Sequence, residues 1–316
     1  MLGTEHEGDR IDKVLARLLP DTSRAAIQRS IAESRVRVDG RPCRPRDRVK
    51  AGSVVELELA PPPSSAAAPD ASVIFGVLYE DAHLLVVDKP AGLVVHPARG
   101  HRTGTLVNGL LSRPAFERVS ADPLDPAGAV RPGIVHRLDK NTSGVLVIAK
   151  DERTREGLKT QLALHSVERV YRALTCGVPR ATTLRTLHSR HPRSRLRFTS
   201  KGARGKSAIT HVRPLELLAQ GRAALVECRL DTGRTHQIRV HLAEQLRTPV
   251  FADELYGGLP KDPELSPIAA ALGRQALHAA VLGFVHPISS ERLRFESPLP
   301  ADFELALERL RELGRD

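Results

Sequence analysis

The sequence predicts an α+β chain: a mixed, largely antiparallel sheet with helices around it, preceded by a small helical module. Three observations predict this. Strand-like and helix-like stretches do not alternate regularly, which argues against a doubly wound parallel sheet. The run Pro61-Pro62-Pro63-Ser64-Ser65-Ala66-Ala67-Ala68-Pro69 reads as a linker, stiff at its Pro end and looser after it. At 316 residues the chain is too long for one small domain and comfortable for two. The expected boundaries are 9–60 for the front module, 61–72 for the linker and 73–316 for the main domain.

In the front module, Ile11, Val14, Leu15, Leu18 and Leu19 recur at helical spacing, with Asp9 as N-cap and Pro20 as stop. A second helix is expected to start at Thr22 or Ser23, turning Ile27 and Ile31 inward and leaving Arg24, Arg29 and Arg35 to solvent. Val36-Arg37-Val38 then runs into the tight-turn dipeptide Asp39-Gly40. Ser53 to Leu59 alternates as a strand.

Beyond the linker, strands are expected at Val73 to Tyr79, His83 to Val87, Val145 to Ala149, Ala223 to Leu230, Leu277 to Phe284 and Arg292 to Phe295. The continuous apolar run in the second of these suits a strand buried on both faces. Helices fit Glu152 to His165, Thr235 to Leu246 and the tail, where Phe303, Leu307, Leu310 and Leu313 share a face.

The net charge of +11 and pI near 10.1 point to a polyanionic partner. Cys43, Cys176 and Cys228 lie far apart, so neither a disulfide framework nor a zinc site is indicated, and a reducing cytoplasm fits. Neither a leader-like apolar segment nor a bilayer-length apolar stretch stands out, so a soluble protein without a membrane anchor is expected.

Chemistry concentrates in Gly133-Ile134-Val135-His136-Arg137-Leu138-Asp139-Lys140-Asn141-Thr142-Ser143-Gly144. Asp139 falls on a turn between apolar runs, where it can either cap the turn or act on a substrate. In Leu230 to Leu242, Thr235 can cap a helix that turns Ile238 and Leu242 inward, placing His236 and Arg239 together on another face. Arg239 could thus face a carboxylate and keep it ionised. His236 and His241 are poorly spaced for a metal, and no Glu follows His236. In Glu168 to Leu174, Tyr171 stands between Arg169 and Arg172. It can stack on a base and move a proton, or simply pack as a half-buried strand residue.

Together these segments resemble the RluA/RluD family of pseudouridine synthases. The resemblance continues in Asp88-Lys89-Pro90-Ala91-Gly92, His96-Pro97, Gly104 to Asn108, Asp253 with Tyr256-Gly257, and Gln275 to Ala279. Arg10 to Leu15, Ser23-Arg24 and Arg35 to Gly40 resemble the S4 RNA-binding module. The sequence departs from the family at Arg169, where many members carry Lys, and at Ala252, where Gly is usual. In the S4-like module Ser34 and Asp39 replace the usual Gly and Asn.

The resemblance implies that Asp139 is the catalytic carboxylate, attacking ribose C1′ or otherwise promoting cleavage of the uridine N-glycosidic bond. It implies that Arg137 helps expel the target base, that Tyr171 stacks on it and is a candidate proton acceptor from C5, and that Arg239 pairs with Asp139. No cofactor or metal is implied. The implied substrate is structured RNA, with large-subunit ribosomal RNA ahead of tRNA, and a binding-only assembly factor is the rival reading. A monomer is expected.

Arg24, Arg35, Arg37, Arg193 and Arg195 are expected to contact RNA, the last two within a basic rim from Arg185 to Lys206. Ser200 to Ser207 superficially resembles a phosphate-binding loop. It lacks the first glycine, and the strand-like Ile209 to Val212 follows it where a helix would be required, so nucleotide hydrolysis is rejected.

Overall fold

The computed structural model describes residues 1–19, 22, 24–59, 67–97, 103–116 and 133–315. The expected helix stop at Pro20, the expected helix start at Ser23 and most of the expected linker lie outside the described residues, as does the side chain of Arg24. The chain divides into two compact units. One contains Met1–Ala67 and the other contains the described residues from Ala68 onward.

The first unit is built from α1 (Ile11–Leu18), α2 (Arg24–Ala32), β1 (Val36–Val38), β2 (Arg41–Pro42) and β3 (Val55–Leu57). Its sheet has the order β2-β1-β3, antiparallel throughout. Ile11, Val14, Leu15, Ile27, Ile31 and Val36 bury the inward stripes of both helices against β1. Asp9 is not the N-cap. Arg10 takes that position without a side-chain cap, and the carboxylate of Asp9 pairs with Arg17 at 2.8 Å. The backbone explains why no cap is needed: the Ile11 amide donates to the Asp47 carbonyl at 2.9 Å, so a terminal donor is already satisfied.

Asp39 and Gly40 both have positive φ, 51° and 74°, the backbone required by a two-residue hairpin turn between β1 and β2. The Asp39 carboxylate also accepts from the Val54 amide at 2.8 Å. The strand expected from Ser53 to Leu59 shortens to β3, whose three residues pair with the three of β1; beyond it the Glu58 amide donates to the Arg35 carbonyl at 2.9 Å and its carboxylate pairs with the Arg35 guanidinium.

The second unit carries a ten-stranded sheet. Its strands are β4 (Gly76–Glu80), β5 (Leu84–Lys89), β6 (Ser143–Ala149), β7 (Glu168–Cys176), β8 (Thr182–Arg190), β9 (Phe198–Thr199), β10 (Lys206–Leu218), β11 (Ala223–Leu230), β12 (Leu277–Val285) and β13 (Arg292–Glu296). The order is β4-β5-β6-β12-β7-β11-β10-β8-β9, with β13 on β12. Among these pairings only β6 with β12 is parallel, so the sheet is mixed and largely antiparallel. The helices are α3 (Leu106–Leu111), α4 (Glu152–Ala163), α5 (Gln237–Gln245), α6 (Leu265–Leu272) and α7 (Ala301–Glu312).

Both faces of β5 are buried, as its unbroken apolar run predicts. Leu85 and Val87 join the large core with α3, α5, α6 and α7, while Leu84 and Val86 join the smaller core under Leu158 of α4. The first strand of this unit begins at Gly76 rather than Val73, with Phe75 packed on the large core instead of paired in the sheet. The basic stretch Arg185 to Lys206 is no simple loop. It runs along β8, turns at Ser194 to Arg197 and returns through β9, closing as a hairpin with the His191 amide on the Arg197 carbonyl at 3.0 Å.

Candidate active site

The large-core face of the sheet collects the site, at the ends of β6, β7 and α5. Asp139 stands on the turn that enters β6, where the Thr142 amide donates to the Asp139 carbonyl at 3.0 Å. Two glycines make this approach possible. A Cβ at Gly133 would lie 1.9 Å from the Ala149 carbonyl oxygen, and one at Gly144 would lie 2.1 Å from that of Ala279. Gly144 also has φ +111°, which L side chains rarely adopt. Only glycine lets β6 lie this close to β12 beside the turn.

The charged cluster around Asp139 separates into different environments. His136 turns inward, its Nε2 accepting the Val147 amide at 3.2 Å, and burial reinforced by Arg169 pulls its pKa down to about 3. It is a neutral structural imidazole. Arg137 is exposed and, among the described residues, makes no hydrogen bond or ion pair. The Asp139 side chain keeps 16% exposure, enough for a substrate to reach an oxygen.

Arg239 supplies the fixed cation. Its Nη1 donates to Asp139 Oδ2 at 3.0 Å, while Nε and Nη2 grip Asp253 at 2.7 and 2.9 Å. Asp253 is 1% exposed and also accepts the amides of Leu255 and Tyr256 at 3.0 and 3.2 Å. A bidentate fork of this kind leaves the guanidinium little freedom to rotate, so its remaining arm has a set direction. Burial opposes the Arg239 charge, but the hydrogen bonds and charges of both aspartates outweigh it and raise its pKa further. Asp139 therefore faces a cation held from behind by another carboxylate.

The sequence reading correctly brings Arg239 and His236 to one face, but it places the helix start two residues early. α5 begins at Gln237, and His236 is the N-cap in a left-handed conformation with φ 59°. Thr235 does not cap it. The N-terminus is instead organised by the buried Gln237 side chain. This donates to the Ile209 carbonyl and to Thr210, and accepts from Thr232 and from the Arg234 amide.

Tyr171 lies on β7, buried, opposite Cys228 of β11 and Ala279 of β12. Burial pushes its pKa up to about 12; Arg169 pulls it back and Asp139 adds to the rise. Its hydroxyl is protonated at neutral pH. Arg169, at the position where the family often has Lys, is also buried and reaches the Asp231 carbonyl at 2.5 Å, a hydrogen bond suited to the longer side chain.

Sequence reasoning assigned no role to Lys89, Asp253 or Tyr256. Lys89 is fully buried, and its ammonium donates to the carbonyls of Pro90, Leu93 and Lys140 at 2.7, 2.9 and 3.1 Å, tying the end of β5 to the Asp139 turn. Burial, aided by Arg274, draws its pKa down to about 7 against the opposing charges of Asp139 and Asp88. No local spacing signals these partners: Lys140 lies 51 residues from Lys89, and Asp253 lies 14 from Arg239, beyond its helix.

The expected RNA contacts divide. Arg35 is engaged with Glu33 at 3.1 Å and with Glu58, so its guanidinium is partly committed. Arg37 is exposed on β1, and Arg193 and Arg195 are exposed near the turn of the β8–β9 hairpin.

Residues 83–244 match the family described as RNA pseudouridylate synthase, and residues 9–55 match the S4 domain. The ribosomal large subunit pseudouridine synthase D of Xanthomonas campestris pv. campestris is 43% identical over 311 residues, covering 96% of this chain and 90% of that protein. The protein of the same name from Neisseria meningitidis serogroup B is 42% identical over 319 residues, covering 99% and 82%. Among solved structures, human RNA pseudouridylate synthase domain containing 4 superposes with a TM-score of 0.54 at 26% identity, covering 75% of this chain and 93% of that one. A carboxylate fixed by Arg239, on a sheet shared with these proteins and in a chain carrying an S4 domain, thus lies in a member of the RNA pseudouridine synthase family.

Proposed function

We propose that this enzyme converts specific uridines of large-subunit ribosomal RNA to pseudouridine, with Asp139 as its catalytic carboxylate. The observation that carries the reading is the Asp139–Arg239–Asp253 arrangement, an accessible carboxylate oriented by a cation that cannot turn away. Asp139 attacks C1′, or otherwise promotes departure of the base, as the N1–C1′ bond breaks. Uracil then turns and C5 bonds to C1′, displacing Asp139 where it has bonded there; the C5 proton leaves and N1, freed from the sugar, takes up a proton. The proton lost from C5 is matched by the one gained at N1, so product and substrate are isomers and the reaction calls for no second substrate.

The target base must first leave its stack, at a cost of a few kcal/mol. Arg137 is exposed and without a hydrogen bond or ion pair among the described residues, which suits it to occupy the vacated position, and Tyr171 presents a ring to the extruded base. A phenol whose pKa is pushed to about 12 is a weak proton acceptor at neutral pH, which favours stacking as the role of Tyr171. All these groups come from one chain, so a monomer suffices. Three free cysteines suit the reducing cytoplasm.

The names of the relatives and the S4 domain favour ribosomal RNA over tRNA. Mapping pseudouridine at single-nucleotide resolution in cells with and without the protein tests this. Sites lost from large-subunit RNA support the reading, whereas losses confined to tRNA would replace its substrate.

The β8–β9 hairpin supplies a phosphate-binding surface through Arg193 and Arg195. Replacing both with Ala is expected to weaken RNA binding and to reduce the slope of log K against log salt by about two, roughly one per lost phosphate contact. Filter binding between low and moderate salt measures this, and an unchanged slope would remove both residues from the interface.

A further inference from the structure

Tyr256 touches both the basic hairpin and the catalytic groups. Its hydroxyl accepts the Phe198 amide of β9 at 2.8 Å and lies 2.9 Å from His236 Nδ1. Arg197 of the hairpin and Arg239 of the site both stack on its ring, with their guanidinium carbons 5.2 and 5.1 Å from the centroid. His236 continues the path. Its ring meets Phe198 and Tyr256 edge-on at 5.7 and 5.6 Å, and its Nε2 lies 3.9 Å from Asp139 Oδ2.

Two details indicate that this path is set up for a purpose beyond packing. His236 holds a left-handed backbone, φ 59°, which costs a non-glycine residue about 1 kcal/mol or more, and that conformation aims its ring between the hairpin and the carboxylate. The hydrogen bonds also allow a definite polarity. With the Tyr256 oxygen accepting from Phe198, its own hydrogen can go to Nδ1, leaving the imidazole proton on Nε2, the nitrogen facing Asp139. Burial, reinforced by Arg239 and Arg137 and opposed by Asp139 and Asp253, keeps the His236 pKa below its usual range, so the ring carries one proton.

We propose that Tyr256 and His236 are positioning residues that couple the seating of RNA on the β8–β9 hairpin to the geometry of the Asp139–Arg239 pair. This rests on the reading of Asp139 as the catalytic carboxylate and of the hairpin as an RNA surface. Phosphates bound at Arg193 and Arg195 steady the returning limb, which carries Arg197 and Phe198. That limb holds Tyr256 against Arg239 and His236 towards Asp139. Substrate engagement outside the pocket thereby reaches the turnover step, and not affinity alone.

The test is a double-variant cycle on the full chain with a ribosomal RNA fragment, reading kcat and KM separately. Tyr256→Phe keeps the ring and its stacked arginines but removes the hydroxyl. His236→Asn removes the imidazole while retaining a residue that tolerates the left-handed backbone. Each is combined with Arg193→Ala/Arg195→Ala. Each bridge variant alone is expected to lower kcat about tenfold, the scale of one lost hydrogen bond, with KM changed less than about threefold. The hairpin variant is expected to lower kcat and raise KM in the otherwise native protein, but only to raise KM once the bridge is cut.

Equal loss of kcat in both backgrounds would overturn the coupling, as would native kcat in Tyr256→Phe. If Tyr256→Phe fails to fold, as judged by circular dichroism, the His236→Asn cycle decides alone. Turnover by Asp139→Asn would instead overturn the catalytic assignment, and native RNA binding by the hairpin variant would overturn the interface. The bridge is rejected in its own right when both those controls behave as expected and the cycle is multiplicative.

Discussion

Asp139→Asn is expected to lower the rate of pseudouridine formation by about four orders of magnitude or more, the scale seen when a group acting directly on the reacting atom is removed. RNA affinity should stay within about threefold of the native value, because the arginines proposed to bind phosphate are untouched. Stability should also change little. Arg239 keeps both bonds to Asp253, so no buried cation loses its partner, and an amide oxygen can still accept from Nη1 at the Asp139 position. A single-turnover assay beside a binding isotherm and a urea melt separates these outcomes. Turnover within about a hundredfold of native would reject the assignment of Asp139, since the field of Arg239 alone does not replace a lost nucleophile.

Arg239→Met should have the opposite profile, with a large loss of stability beside the loss of activity. Asp253 is 1% exposed and depends on this guanidinium for two of its hydrogen bonds. Breaking a buried ion pair on one side costs about 3–5 kcal/mol, because the remaining charge has neither water nor partner. Adding Asp253→Asn should recover part of the stability at neutral pH without restoring turnover, because Asp139 still lacks its cation. Urea melts beside a turnover assay at pH 7 give both readings; a double variant no more stable than Arg239→Met would contradict the account.

The legible parts of this protein are those whose signal is local. The unbroken apolar run of β5 and the irregular order of strands and helices are placed as read, and so is the first part of the Ile11 to Leu19 stripe: Ile11, Val14 and Leu15 are buried, whereas Leu18 is exposed and Leu19 follows the helix. The Asp39-Gly40 hairpin is similarly local, because a two-residue turn needs positive φ at both positions. Asp139 stood out because four charged or titratable side chains within a few positions are improbable between buried strands. Even there, the sequence could not separate the neutral, inward His136 from the exposed Arg137 two residues before Asp139, since the distinction depends on which neighbour each side chain meets.

Misreadings occurred where a distant group satisfied a local need. Asp9 reads as a cap, yet the Asp47 carbonyl accepts from the first helical amide, and Asp9 is free to pair with Arg17. Thr235 reads as the cap of α5, yet Gln237 organises that terminus through β10 and the loop before it. For the stretch Arg185 to Lys206 composition shows the basic residues but not the form, a strand hairpin pinned to Tyr256 through Phe198.

The sequence by itself determined the fold class, much of the helical and strand periodicity and the family resemblance, and it singled out Asp139 as the carboxylate to propose. These are written in neighbouring residues, through spacing and residue type. Only the tertiary structure decided how that carboxylate is held. Arg239 lies 100 residues from Asp139, and its own orientation comes from Asp253, while Lys89 secures the turn through a carbonyl 51 residues away. Long-range electrostatics and hydrogen bonds have no sequence period, because their geometry exists only after the sheet has brought the strands together.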